Sequence, residues 1–529
     1  MVSVRRITGC RLFLFCTLCF AALFNLDTSP FRFIVPASPF SECPDNMFKH
    51  DTYIYLYTGN LIPQGLMPYR DSFDHKGPLF YLIIAAGLRI WNVAGLWLIQ
   101  TLLLFVSGFF AYKTARLLVS PWPSVFAAAT GLLWVTLCHT SPETVSVPFL
   151  LVSLYYLVRY LLNGYRVGGW ETVLIGACFG AVLLTKANLT TLWIVFILTV
   201  TAASIARKEF LRLSAMAVLF LSGAAAVILP VLCWLYAKGA FSDFVNDYWV
   251  FNFQGYGGEP SFRNYLGFFL PLNGAVIWYR YLWFNTPALA VYLFLVFREK
   301  DSVKRNLYIA AGAYFALSVL FLGVRGTFWD YYAFPLVPAY LVFLAVSFEA
   351  IGRIRFKHPA FALILFLLLA APALRSLFIP ALQDWGKRYY LQHYAPQVDS
   401  AHFGVPLRDD RNALELAAWI RDNVPEEATI NGVEARVYWY AKRRHAAVYS
   451  LPPAQQSYDD TFVRDENGNF PDYILEQRIH FYSPGDVLRS VPKEEFETSP
   501  EIEKTLAESY ELVFRNEGFD FYKRKGIAQ

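Results

Sequence analysis

The chain has 529 residues, 56% of them hydrophobic and only 16% charged, with a formal net charge of +5 and a mean hydropathy of +0.36. A soluble domain carries roughly a quarter charged residues, and the deficit here is concentrated in long apolar runs separated by short basic clusters, which is membrane-protein composition. The small positive excess lies beside those runs as a topology signal and calls for no nucleic-acid partner.

The N-terminus reads Arg5, Arg6, Arg11 and then an apolar run from Leu12 to Leu26. That is also the shape of a signal peptide. No small-x-small cleavage site follows, so an uncleaved anchor is expected, and in either case the next segment is exported. Of the seven cysteines only Cys43 sits in a polar stretch. Neither a disulfide framework nor a Cys/His metal spacing appears.

Apolar runs of spanning length fall near 12–27, 96–118, 122–137, 145–162, 170–186, 189–205, 213–235, 281–297, 306–322, 332–348 and 360–375. The stretch Pro78 to Trp91 is shorter. As a helix it reaches about 21 Å at 1.5 Å per residue, against a hydrocarbon core of about 30 Å. If it does not cross, the inside turns collect Arg5/Arg6/Arg11, Lys113/Arg116, Arg159/Arg166, Arg207/Lys208/Arg212, Arg298/Lys300/Lys304/Arg305 and Arg353/Arg355/Lys357. Every one is then basic, as the positive-inside rule expects. The stretch is therefore read as an interfacial helix on the outer surface. Eleven spans result, with the N-terminus cytoplasmic and the C-terminus periplasmic or extracellular.

The expected fold class is a polytopic α-helical membrane protein with a small extracytoplasmic α/β domain at its C-terminus. The membrane domain covers 1–375, with a first outer loop at 28–95, and the tail covers 376–529. In the tail, Asn412–Asn423 has a helical pattern, with Leu414, Leu416, Trp419 and Ile420 apolar. Ala428–Val433 and Arg436–Tyr440 read as strands. Tyr510–Arg515 and Phe519–Lys523 read as a hairpin closed by Asn516-Glu517-Gly518, with the glycine available for positive φ.

The richest chemistry lies in the first outer loop, from His50-Asp51-Thr52-Tyr53 to Pro68-Tyr69-Arg70-Asp71-Ser72-Phe73-Asp74-His75-Lys76-Gly77-Pro78-Leu79. Transfer of a sugar from a lipid phosphate to a hydroxyl needs a base for the acceptor proton and cations for the departing phosphate. Aspartate suits the first task and Lys or Arg the second. The plain alternative is a long, solvated, charged loop.

An Asp soon after the first span, then Gly-Leu-Met-Pro-Tyr-Arg-Asp, then Asp-His-Lys-Gly-Pro-Leu, resembles the first outer loop of bacterial GT-C glycosyltransferases. These are the relatives of protein O-mannosyltransferases, the lipid A aminoarabinose transferase and the rhizobial galacturonosyltransferases. The resemblance covers roughly 10–375 and is most specific in 51–79. It implies a bundle of about a dozen helices, a polyprenyl-phosphate-sugar donor and a catalytic Asp in this loop. By position, it makes Asp51 the base and Lys76 the ligand of the donor phosphate. Asp74 and His75 occupy places where relatives carry an acidic residue or His. Gly77 departs from the commoner Lys-Pro-Pro form. Asp71 and Asp74 fit equally a role in shaping the loop through backbone N–H groups.

Glu143, at the second outer turn, matches an acidic residue of similar enzymes. It also fits a solvated turn at a helix N-terminus. Lys186, with Asn188, interrupts an apolar stretch, which marks either a functional cation or a snorkelling side chain. Arg325 is one of few outer arginines and invites a phosphate-binding role. Tyr332 begins a Tyr-x-x-Pro entry that similar enzymes place beside the donor site, although Trp329, Tyr331 and Tyr332 also suit an aromatic belt. His139 reads as a turn or interface residue. No Ser-His-Asp arrangement, Walker loop or dinucleotide fingerprint appears.

The expectation is a glycosyltransferase of the bacterial inner membrane, among membrane lipids. It would use a polyprenyl-phosphate-linked sugar and a lipid, glycan or protein acceptor. No metal ligands are assigned and no cofactor is certain, although the outer carboxylates are compatible with a divalent metal. The alternative, a transporter or flippase of lipid-linked sugars, predicts ionisable residues at the bilayer midplane and paired broken helices. The polar residues cluster at the outer ends instead.

Overall fold

The computed structural model describes residues 2–30 (bar 25 and 27), 50–135, 140–254, 279–323, 334–353, 360–370 (bar 362 and 368), 407–432, 435–444, 470–477, 479–482, 489–492 and 500–527. Two compact units divide the chain. One holds Met1–Arg32, Lys76–Trp234 and Gly258–Leu382, and the other Phe33–His75, Leu235–Gly257 and Gln383–Gln529.

The first unit is helical. Its described helices include Val2–Phe24, Pro78–Leu118, Pro121–Val135, Pro142–Leu162, Gly169–Leu183, Thr191–Ala206, Phe210–Ala237, Tyr279–Arg298, Ser302–Gly323 and Val337–Arg353, the seventh of these running three residues into the other unit. Among the described residues, four segments, Pro78–Leu118, Pro142–Leu162, Phe210–Ala237 and Phe334–Arg353, are long and apolar enough to cross a membrane. The helices Pro142–Leu162 and Val337–Arg353 are buried along most of their length. Others leave Leu198, Leu211, Val218 and Phe297 exposed, an outward apolar face of the kind lipid covers.

Small residues set one close helix crossing. A Cβ on Gly176 would lie 1.9 Å from the Phe220 carbonyl oxygen, and one on Gly223 would lie 1.9 Å from that of Val173. With Gly180 one turn on, also packed on Ala224, the 169–183 helix presents a small-xxx-small seam that lets two backbones touch.

The segment Pro78–Leu118 is broken. Trp91 (φ −160°, ψ 51°) and Asn92 (φ 49°, ψ −143°) leave helical geometry. A Cβ on Gly87 would come within 2.5 Å of the Leu96 Cα, and one on Gly95 within 2.1 Å of the Gly87 carbonyl oxygen. In a straight helix, positions 87 and 96 stand about 13 Å apart at 1.5 Å per residue. The chain therefore folds back on itself at Trp91-Asn92, and two glycines make the close approach. The short helix read at 78–91 ends at this break.

The second unit holds helices His50–Leu61, Leu407–Asn423, Ala435–Ala441 and Pro500–Ser509, together with a helical segment over 241–254. Its main sheet contains β1 (Ile430–Asn431), β2 (Tyr473–Gln477), β5 (Tyr510–Arg515) and β6 (Phe519–Arg524) in the order β1-β2-β6-β5. β1 is parallel to β2, and the other pairs are antiparallel. A separate antiparallel pair joins β3 (Ile479–Tyr482) and β4 (Arg489–Pro492). The helix Leu407–Asn423 buries Ala413, Leu416, Ala417 and Ile420, an i, i+3, i+4, i+7 stripe, and its Trp419 ring meets Phe514 and Phe521.

Two local expectations change. Arg436–Tyr440, read as a strand, lies within the helix Ala435–Ala441. Its β-prone Val and aromatic residues are held helical by packing: Val437, Tyr438, Tyr440 and Ala441 are all buried, and tertiary burial outweighs local propensity. Gly518 is not in the left-handed region among the positive-φ glycines. The Asn516 side chain closes the turn instead, its Oδ1 accepting from the Gly518 and Phe519 N–H groups at 3.0 and 2.9 Å. Glycine is needed at 518 because a Cβ would lie 2.9 Å from the Asn412 side chain.

Candidate active site

In the second unit, Asp51 stands in the first turn of helix His50–Leu61. Residues Thr52 to Gly59 are buried, whereas Asp51 is half-buried. The helix is thus sunk in protein with its carboxylate at the accessible N-terminal end, where the helix dipole favours negative charge.

After Gly65 turns the chain (φ 81°), residues 67–72 close a compact loop. The Met67 N–H donates to Asp71 Oδ2 at 2.7 Å, and the Asp71 N–H returns a bond to the Met67 carbonyl at 2.9 Å. Arg70 chelates the same carboxylate at 2.6 and 3.1 Å, and Arg444 approaches it at 3.9 Å. Burial pushes the Asp71 carboxyl up. The Arg70 and Met67 hydrogen bonds and the charges of Arg70 and Arg444 outweigh that and hold it below its usual value. This geometry matches the loop-shaping alternative for Asp71. Tyr69, 2% exposed, is held at φ 72°, a costly conformation for a non-glycine residue. Its ring packs on Phe244 at 5.5 Å.

Asp74 is buried, and its Oδ1 accepts from the His75 N–H at 2.6 Å. Against this pair lies the 241–254 segment, which passes through a π-helical turn at Val245–Val250, a distortion common at functional sites. Asn252 Nδ2 donates to the His75 carbonyl at 2.8 Å, while the Phe251 ring meets Phe73 at 5.0 Å and His75 at 5.6 Å. Asp247, in the π-turn, is pushed up to about 8 by burial first and then by Asp243 and Asp74. Sequence reading missed Asp247 and Asn252. The available signal was a carboxylate and an amide inside an otherwise aromatic run, Phe244 to Phe253.

In the first unit, Lys76 is 6% exposed. Its neighbour Gly77 caps the 78–90 helix in extended geometry, and the Gly77 and Leu79 N–H groups donate to the Thr185 and Leu184 carbonyls at 2.9 and 3.0 Å. A Cβ on Gly77 would lie 2.1 Å from the Leu184 carbonyl oxygen. The departure from Lys-Pro-Pro is therefore a close-approach glycine that seats Lys76 beside the chain leading into Lys186. Lys186 lies at the break between helices Gly169–Leu183 and Thr191–Ala206 and donates to Glu143 Oε1. Glu143 is the second residue of helix Pro142–Leu162, with Ser141 capping that helix. At 1% exposure it is not a solvated turn residue.

The structure thus joins Glu143 to Lys186, Asp74 to His75, and Asp71 to Arg70 and Arg444. Asp51, Asp71, Asp74 and His75 belong to the second unit, and Lys76, Glu143 and Lys186 to the first. Arg325 and Tyr332, with Trp329, Tyr331 and His139, lie outside the described residues. Among the described residues, no three His, Cys, Asp or Glu side chains gather to hold a metal ion.

Fold and helix composition define a largely helical protein in which, among the described residues, four segments are long and apolar enough to cross a membrane. Similarity over nearly the whole chain links it to ArnT from Cupriavidus metallidurans bound to undecaprenyl phosphate, with a TM-score of 0.56 at 14% identity, covering 97% of this chain and 98% of that one. The apo state of that protein gives a TM-score of 0.55 at 14% identity, covering 99% and 98%. The Archaeoglobus fulgidus oligosaccharyltransferase in complex with Zn and sulfate gives 0.50 at 16% identity, covering 87% of this chain and 68% of that one. At these identities the likeness is one of fold. No curated protein matches the sequence. Residues 49–360 match the Competence-induced Ccs4 N-terminal domain model, more than half of the chain, and the protein belongs to that family.

Proposed function

We propose that this protein is a GT-C glycosyltransferase that moves a sugar from a polyprenyl-phosphate carrier to a hydroxyl on the outer face of the membrane. The proposal includes eleven spans, a cytoplasmic N-terminus, the 78–91 stretch lying on the outer surface, and a membrane domain (1–375) followed by an extracytoplasmic α/β domain (376–529) in a bacterial inner membrane. The acceptor class is a lipid, glycan or protein hydroxyl.

Asp51 takes the proton of the acceptor hydroxyl as its oxygen bonds to the anomeric carbon of the donor. The bond from that carbon to the phosphate oxygen breaks, and its electron pair leaves with the polyprenyl phosphate. Lys76 and Arg325 meet the growing charge. Asp71, Asp74, His75, Glu143, Lys186 and Tyr332 are carried as further candidate residues of the reaction. The observation that carries this reading is the seat of Lys76: a lysine 6% exposed, fixed through Gly77 to the 184–185 backbone. It belongs to a chain that shares its fold, over 97% of its length, with a protein whose structure holds undecaprenyl phosphate.

The test is reconstitution in lipid with polyprenyl-phosphate sugars and a hydroxyl acceptor. Release of free polyprenyl phosphate coupled to sugar transfer is expected. Movement of intact donor across the bilayer without cleavage contradicts the proposal and favours the flippase alternative.

A further inference from the structure

One face of helix His50–Leu61 is gripped by a short helix from far along the chain. Tyr53 is fully buried, and its hydroxyl lies 2.5 Å from that of Tyr440, the rings meeting edge-on at 5.5 Å. One turn further, Tyr57 meets Tyr438 at 6.1 Å. Positions i and i+4 share a face, so the two contacts together set both the rotation and the axial position of the helix that begins with Asp51.

The gripping helix is itself anchored. The Tyr438 hydroxyl donates to the Gly432 carbonyl at 3.0 Å, and Arg421 donates to the Tyr440 carbonyl at 2.6 Å. Gly432 (φ 129°) lies so close to β2 that a Cβ there would meet the Leu475 carbonyl oxygen at 2.1 Å. A path of buried contacts therefore runs from the sheet through Gly432, Tyr438 and Tyr440 to Tyr53, two residues from Asp51.

We propose that Tyr440 is a positioning residue for Asp51, so that the C-terminal segment acts as a clamp that aims the catalytic carboxylate. The proposal rests on the glycosyltransferase reading for the role of Asp51 but not for the clamp itself. Aligning a base within hydrogen-bond reach of its proton is worth large factors in rate, and a small rotation forfeits much of that.

Tyr440→Phe keeps the ring packing and removes the hydroxyl contact; Tyr53→Phe removes the other half. Two measurements on the full-length reconstituted protein separate the questions. Hydrogen exchange of the 50–61 amides should rise in each variant while the 142–162 helix stays protected. Turnover should fall about tenfold in kcat with donor KM unchanged, and the double variant should fall no further than either single one. Unchanged exchange over 50–61 overturns the clamp whatever the activity. Raised exchange with unchanged kcat overturns the positioning role. A wild type that transfers no sugar while its Tyr440→Phe form shows raised exchange overturns the glycosyltransferase reading and the catalytic part of this proposal, and leaves the clamp standing.

Discussion

Glu143 and Lys186 form an ion pair in which the carboxylate is 1% exposed, with its second oxygen, Oε2, lacking a hydrogen-bond partner among the described residues. The partners are 43 positions apart in sequence, and only the packing of helix Pro142–Leu162 against the break after Leu183 joins them. A buried pair contributes little net stability, but an unmatched half is costly, by about 3–5 kcal/mol. Lys186→Met should therefore destabilise the protein by roughly that amount. The double variant with Glu143→Gln should recover most of the loss. Denaturation of both single variants and the double in detergent checks this; additive losses contradict it.

Gly77 is predicted to tolerate no side chain. A Cβ there lies 2.1 Å from the Leu184 carbonyl oxygen, so Gly77→Ala must part the 77–79 and 184–185 segments, at a cost of about 1–3 kcal/mol. It should also unseat Lys76 and lower transfer at least tenfold. Gly131→Ala is the matched control, since its nearest neighbour is the Val337 side chain at 3.6 Å. That variant should match the wild type in stability and rate.

Asp247 gives the protein a pH dependence. Its carboxyl is raised from 3.8 to about 8 by burial, Asp243 and Asp74, so the folded state holds a proton that the unfolded chain releases near its ordinary value. That stabilisation is fully present below about pH 4 and is lost as pH rises toward about 8. Thermal unfolding of the wild type should show this decline across the window, and Asp247→Asn should flatten it. Identical slopes in the two proteins contradict the assignment.

The candidate residues were legible in the sequence, but few of the contacts they make were. Asp51, Asp74, His75 and Lys76 stand out because charged residues crowd one loop beside an apolar run. The partner of Glu143 was not legible, since pairs across helices leave no local pattern. Asp247 was masked by its aromatic neighbours, and Tyr440 by a β-like composition that burial turned into helix. The break at Trp91-Asn92 was legible indirectly: charge and length separated 78–91 from the run that follows, and Gly87 and Gly95 supply the physical reason the chain can fold back there.

The same break bears on the proposed topology. With 78–91 on the outer surface, a reporter fused at residue 120 should signal from the cytoplasm and one at the C-terminus from outside. An external signal at 120 contradicts the interfacial placement.

In the proposed transfer, Asp51 is the base that takes the acceptor proton. Single-turnover transfer from a polyprenyl-phosphate sugar, in reconstituted wild type and Asp51→Asn, tests it directly, with donor binding measured in parallel. In Asp51→Asn, donor binding should stay within about twofold of the wild type while the transfer rate falls by roughly 10²–10⁴-fold, the contribution typical of a positioned base. Equal transfer rates in the two proteins would contradict it.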